Sequence, residues 1–96
     1  MNNSNNNIYD IKINEEYAKL VPRLSAAEYN TLKEAIKQNG IQVPIITNQD
    51  GTILDGHHRY RTWVIDLGRP VTEMPKPTVI NYDDKLQEKL FVSMLI

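Results

Sequence analysis

The eight-residue run Leu54-Asp55-Gly56-His57-His58-Arg59-Tyr60-Arg61 holds both histidines and two of the four arginines of the chain. An apolar stretch leads through a glycine into imidazoles and guanidinium groups at the first turn of a helical pattern. A helix start offers free backbone N–H groups and the positive end of the helix dipole. Gly56 permits close approach of a ligand or another backbone, and Arg59 and Arg61 can make charge-assisted bonds to phosphate oxygens. Gly56, His57, His58, Arg59 and Arg61 therefore read as a polyphosphate cradle. Asp55 complicates it, since a carboxylate repels phosphate unless it works through a divalent cation, orients His58 or accepts a proton. Asp55 is thus the candidate catalytic residue, and Mg²⁺ the candidate ion.

The same residues also fit quieter roles. Asp55-Gly56 suits a tight turn with an N-cap carboxylate. His57, three and seven residues before Tyr60 and Val64, suits a packed core histidine. A protein metal site is not expected, because adjacent helical residues point about 100° apart and there is no third imidazole or any cysteine. Tyr60 and Trp63 share helical spacing with Val64 and Leu67 and read as core rather than as a base-stacking platform. Arg23 is either a surface charge or a further arm of the cradle.

The elements that must position this run can be read from local signals. Ser25-Ala26-Ala27-Glu28 is a capping box, with Leu24 and Tyr29 placed as its hydrophobic staple. Tyr29, Leu32 and Ile36 then share a face up to Gly40, which predicts a helix over about 26–39. Val43-Pro44-Ile45-Ile46-Thr47 and Thr52-Ile53-Leu54 flank Asn48-Gln49-Asp50-Gly51 and predict a hairpin. A second helix is predicted over about 57–67, ended by Gly68. The three prolines between Arg69 and Pro77 mark an irregular connector, followed by a strand at 78–82. Asp83 can cap a final apolar helix containing Leu86, Leu90, Phe91, Val92, Met94 and Leu95, which is broad enough to need a partner. A short strand is predicted over 8–13, and Leu20-Val21-Pro22-Arg23 as a loop. Residues 1–7, with five asparagines, read as a disordered leader.

At 96 residues with a net charge of −1, the chain is one small domain, taken here as 8–96. A large multidomain enzyme, a disulfide framework and a thiol nucleophile are excluded, and near-neutral charge argues against a generic electrostatic nucleic-acid binder. No apolar run or leader signals a membrane or secretion, so a soluble cytoplasmic protein is expected. The apolar run reaching Ile96 reads as the front of a longer polypeptide.

The order helix, Gly, Pro-Ile strand, Asp-Gly turn, strand, Gly-His-His-Arg-x-Arg helix resembles the ParB/sulfiredoxin superfamily, and within it the ParB N-terminal domain, over about residues 8–92. Lys37-Gln38-Asn39-Gly40-Ile41-Gln42-Val43-Pro44-Ile45-Ile46 resembles that family's first box, and Gly56-His57-His58-Arg59-Tyr60-Arg61 its Gly-Glu-Arg-Arg-x-Arg box. The resemblance implies an α/β (α+β) fold with a small mixed sheet and flanking helices. It also implies a bound nucleoside triphosphate, CTP before ATP or ADP, with the second box on the phosphates and Pro44, Ile45 and Ile46 walling the pocket. Nucleotide binding would then control self-association and spreading on DNA in plasmid or chromosome segregation, with DNA, a second protomer and a ParA-type ATPase as partners and at most weak CTP hydrolysis. Arg59 and Arg61 match the second box, whereas His57 and His58 replace its Glu and Arg. The family's third box falls at or past residue 96, and its helix-turn-helix is absent from this sequence. Sulfiredoxin activity is excluded, since His57 stands where that enzyme carries its catalytic Cys. Asp55-Gly56-His57-His58-Arg59 is also similar to the motif of the superfamily's free-serine kinases. Those carry a Glu just after an early Pro, where this chain has Arg23 and Leu24 after Pro22, so a kinase here would draw on Asp55 with Glu15 or Glu16. A third reading is an adaptor that binds proteins through the apolar helix from Leu86 to Ile96.

Overall fold

The computed structural model of the chain describes residues 10–95. The Asn-rich stretch 1–7, the first part of the strand expected at 8–13 and Ile96 lie outside the described residues. The elements run α1 (Glu15–Leu20), α2 (Ala26–Asn39), β1 (Ile46–Asn48), β2 (Ile53–Asp55), α3 (His57–Arg61), β3 (Thr78–Ile80) and α4 (Lys85–Met94). This is a mixed α+β fold. The sheet order is β2-β1-β3, with β1 antiparallel to β2 and parallel to β3.

Period-2 geometry explains why the hairpin strands are apolar at consecutive positions. Ile45 and Ile53 point to one side, into a cluster with Ile11, Ile36, Ile41, Trp63 and Met74. Their neighbours Ile46 and Leu54 point to the other, where Tyr17, Val92, Leu20, Tyr82 and Phe91 pack. Helices therefore cover both faces, α2 and α3 on the first and α1 and α4 on the second, and neither face needs a polar alternation.

The capping box of α2 is complete. Ser25 Oγ accepts from the Glu28 N–H at 3.1 Å, and Glu28 Oε1 accepts from the Ser25 N–H at 2.8 Å. Gly40 ends the helix at φ +74°, as the C-terminal glycine predicts. The hairpin turn is tied by Asn48, whose Oδ1 accepts from the N–H groups of Asp50 and Thr52.

Several expectations are corrected. The strand expected at 8–13 reduces, within the described residues, to one parallel bridge between Lys12 and Thr52, because Asp10 turns the chain at φ +47° just before it. Helix α1 was not expected at all, although Asn14 caps it and Glu15, Glu16 and Lys19 follow the helix dipole. The second predicted helix is α over His57–Arg61 and widens to a π-helical turn over Thr62–Asp66, where the Leu67 N–H reaches the Thr62 carbonyl. The strand expected at 78–82 is shorter, Thr78–Ile80. Asp84 rather than Asp83 caps α4, accepting from the Leu86 N–H at 2.8 Å. Among the described residues no helix is long and apolar enough to cross a membrane.

Candidate functional site

Strand β2 ends at Asp55, and the chain turns through Gly56 into α3. Gly56, not Asp55, is the N-cap, and no side chain caps the helix. The glycine is required twice. Its φ of +104° suits only glycine, and a Cβ there would stand 2.6 Å from Ile45 Cγ2 and 2.9 Å from Arg59 Nη2. What approaches Gly56 closely is thus the protein's own core.

From this turn the residues of α3 fan toward two adjoining clefts. The larger, about 370 Å³, is lined by His57, His58 and Arg61 together with Glu15 and Lys19 of α1 and Arg23 of the loop after it. Three cations and one carboxylate thus surround the histidines. The smaller, about 150 Å³, lies among Leu20, Leu54, Val92, Leu95, Asp55 and Arg59. His57, His58, Val21 and Pro22 line both.

His57 is the least ordinary residue here. The residue is only 3% exposed, and among the described residues neither ring nitrogen has a hydrogen-bond partner. Burial holds its pKa below the usual imidazole value, with the charges of Arg61 and His58 acting in the same direction and Asp55 opposing them. The ring is therefore neutral at pH 7. Its one N–H and one lone pair are both buried and, among the described residues, meet no partner, an unsatisfied pair that calls for an explanation in a folded core. His58 is held differently: its Nε2 lies 2.8 Å from the Pro22 carbonyl oxygen, which only accepts, so Nε2 carries the proton.

The cradle read from the sequence is redistributed. Arg61 is exposed and faces the larger cleft, and Arg23, whose spacing left it undecided, lines the same cleft. Arg59 instead folds back, its Nη2 3.4 Å from the Pro44 carbonyl oxygen and 3.8 Å from Asp55 Oδ2. Asp55 pairs with Arg59, while the partner found for His58 is Pro22. Ile45 is buried in the core and Pro44 supplies a carbonyl to Arg59, and neither lines the two clefts. Arg69 belongs elsewhere, stacked over the Trp63 ring at 5.0 Å. Lys19 escaped sequence reasoning because α1 did; Asn14 followed by Glu15 and Glu16 was the available signal.

Chemically, the larger cleft can hold an anionic group by charge and directed N–H donors, and the smaller can cover an apolar one. Among the described residues no group of three or more His, Asp or Glu is placed to hold a metal ion.

An uncharacterized protein, ORF326b, of Acidianus two-tailed virus is 34% identical to this chain over 81 residues, which is 84% of this chain and 23% of that protein. The chain thus spans about a quarter of the relative it matches. No protein-family model matches the chain, and no solved structure matches it.

Proposed function

We propose that the chain is a ParB-like nucleotide-binding domain from a partition protein or a related DNA-binding protein. The phosphates of a nucleoside triphosphate, CTP before ATP or ADP, lie in the cleft between α1 and α3, and binding controls self-association and spreading on DNA. The observation that carries this reading is the convergence of Lys19, Arg23 and Arg61 around a buried, unpartnered His57. Arg23 and Arg61 supply planar donors to phosphate oxygens, Lys19 adds a point charge, and the neutral His57 ring forms part of the wall. Mg²⁺ would travel with the phosphates, since among the described residues no group of three or more His, Asp or Glu is placed to hold it. DNA, a second protomer and a ParA-type ATPase are the proposed partners.

Calorimetric titration with CTP, ATP, ADP and GTP, with and without Mg²⁺, tests the reading. Saturable binding of CTP that weakens about tenfold or more in Arg61→Ala is expected, the size of a lost charge-assisted contact. No heat with any nucleotide at millimolar concentration sinks it.

One observation favours a second reading, a nucleotide-dependent small-molecule kinase acting on free serine. Glu15 lines the same cleft as the histidines and Arg61, where a carboxylate can take a hydroxyl proton. Glu16 is engaged with Lys89 instead. Phosphoserine formed from serine and ADP or ATP, lost in Glu15→Gln, would establish this reading over the first.

A further inference from the structure

Asp55 has no place among the phosphates. Its side chain is 40% exposed, and its only ion pair among the described residues is the 3.8 Å approach of Arg59, well beyond the roughly 2.7–2.9 Å of a charge-assisted hydrogen bond. An ionised carboxylate can only accept, so whatever it binds must bring a donor. Asp55 also lies on the apolar side of the site, where Leu20, Leu54, Val92 and Leu95 line the smaller cleft with it. The cations Lys19, Arg23 and Arg61 line the other cleft, and His57 and His58 are common to both. A ligand spanning the two would have an anionic end and, at the other end, an apolar body with an N–H donor at its edge.

An amino-bearing nucleobase has that character: flat apolar faces and an exocyclic NH₂ that a carboxylate accepts, as acidic side chains do from the cytosine amino group. We infer that Asp55 is the base-reading residue of this site, accepting from the exocyclic amino group of a cytosine or adenine nucleotide whose ring lies in the Leu54 and Val92 cleft. This rests on the nucleotide reading above and replaces the catalytic role expected for Asp55 with one in specificity. A base with a keto oxygen at the same edge places acceptor against acceptor and is rejected.

The test is calorimetry on the chain and its Asp55→Asn and Asp55→Ala variants with two matched pairs, CTP against UTP and ATP against inosine triphosphate, and with inorganic tripolyphosphate. The parent should prefer the amino member of at least one pair by about tenfold, the discrimination one good base contact gives. Asp55→Asn, whose amide both donates and accepts, should bring that ratio close to one, and Asp55→Ala should lose it through weaker binding of the amino base. Both variants should bind tripolyphosphate at least as tightly as the parent, since a negative charge is removed, and this also shows that they fold. Nucleotide binding with no amino preference, or a preference that survives Asp55→Asn, overturns the role of Asp55 and leaves the nucleotide reading standing. Tripolyphosphate binding with no response to any nucleoside triphosphate overturns both.

Discussion

The two faces of the sheet are built on different principles. The face under α2 and α3 is sealed by isoleucines, Trp63 and Met74, and its strength is close packing. The face under α1 and α4 has a smaller apolar cluster and, beside it, a buried carboxylate. Glu88 is 1% exposed, accepts from Tyr17 Oη at 2.6 Å and from Asn48 Nδ2 at 2.7 Å, and pairs with Lys85 at 3.2 Å. Burial pushes the Glu88 carboxyl up, but these three partners outweigh it and hold its pKa below the ordinary value. Burial, together with the same contact, pushes the Tyr17 hydroxyl well above its usual range. Both clefts open beside this second face, bordered by α1 and, for the smaller one, by α4. The smaller cleft is walled by members of that apolar cluster, Leu20, Leu54 and Val92, while the directed bonds of Glu88 tie α1 and α4 beside it.

The contrast can be broken most severely on the packed face. Ile53 has no exposed surface, and Ile53→Ala should cost about 4 kcal/mol in urea unfolding, a large share of a small domain's stability. On the polar face, Glu88→Ala leaves Tyr17 and Asn48 buried without their acceptor. We expect a loss of about 3 kcal/mol, with Glu88→Gln, which keeps an acceptor, losing less. At the seam between the faces, Gly56→Ala must relieve both an unfavourable φ and the contact with Ile45, and should cost about 2 kcal/mol by the same measurement.

The smallest effect sharpens the comparison through pH. His57 has a folded pKa below its free value, so its contribution is fully present above about 6.5 and is lost as pH falls through the lower folded value. Unfolding followed from pH 7.5 to 5 should show stability falling in this window, and His57→Leu should flatten that limb. The Glu88 contribution, also from a depressed pKa, is fully present above about 4.3 and is lost only at more acid pH. A limb below about pH 6.5 that is unchanged in His57→Leu would assign it to another group.

The parts legible in the sequence were those governed by neighbours in the chain. The Ser25 capping box, the Gly40 stop and the turn around Asp50-Gly51 each depend on a few consecutive residues, and each formed as read. The grouping of His57, His58 and Arg61 was legible for the same reason. The position of Arg23 was not, because only the packing of α1 against the rest of the fold brings its loop to α3. Nor was the burial of Glu88, since a glutamate on an apolar helix reads as solvated until Tyr17 and Asn48 come to meet it. Arg59 lines the smaller cleft, and its contact with the Pro44 carbonyl was not legible either, since it joins residues brought together only by the fold.

The contact between Tyr17 and Glu88 joins positions 71 residues apart. Closing so long a loop costs more entropy than closing the short ones of α2 and the hairpin. The α1–α4 junction is therefore expected to assemble late, after the folding barrier, so that loosening it hastens unfolding and leaves the refolding rate nearly unchanged. The lifetime of the folded domain would then be set where α1 meets α4, beside the clefts, and a ligand bridging α1 and α3 would act as a kinetic clasp on α1.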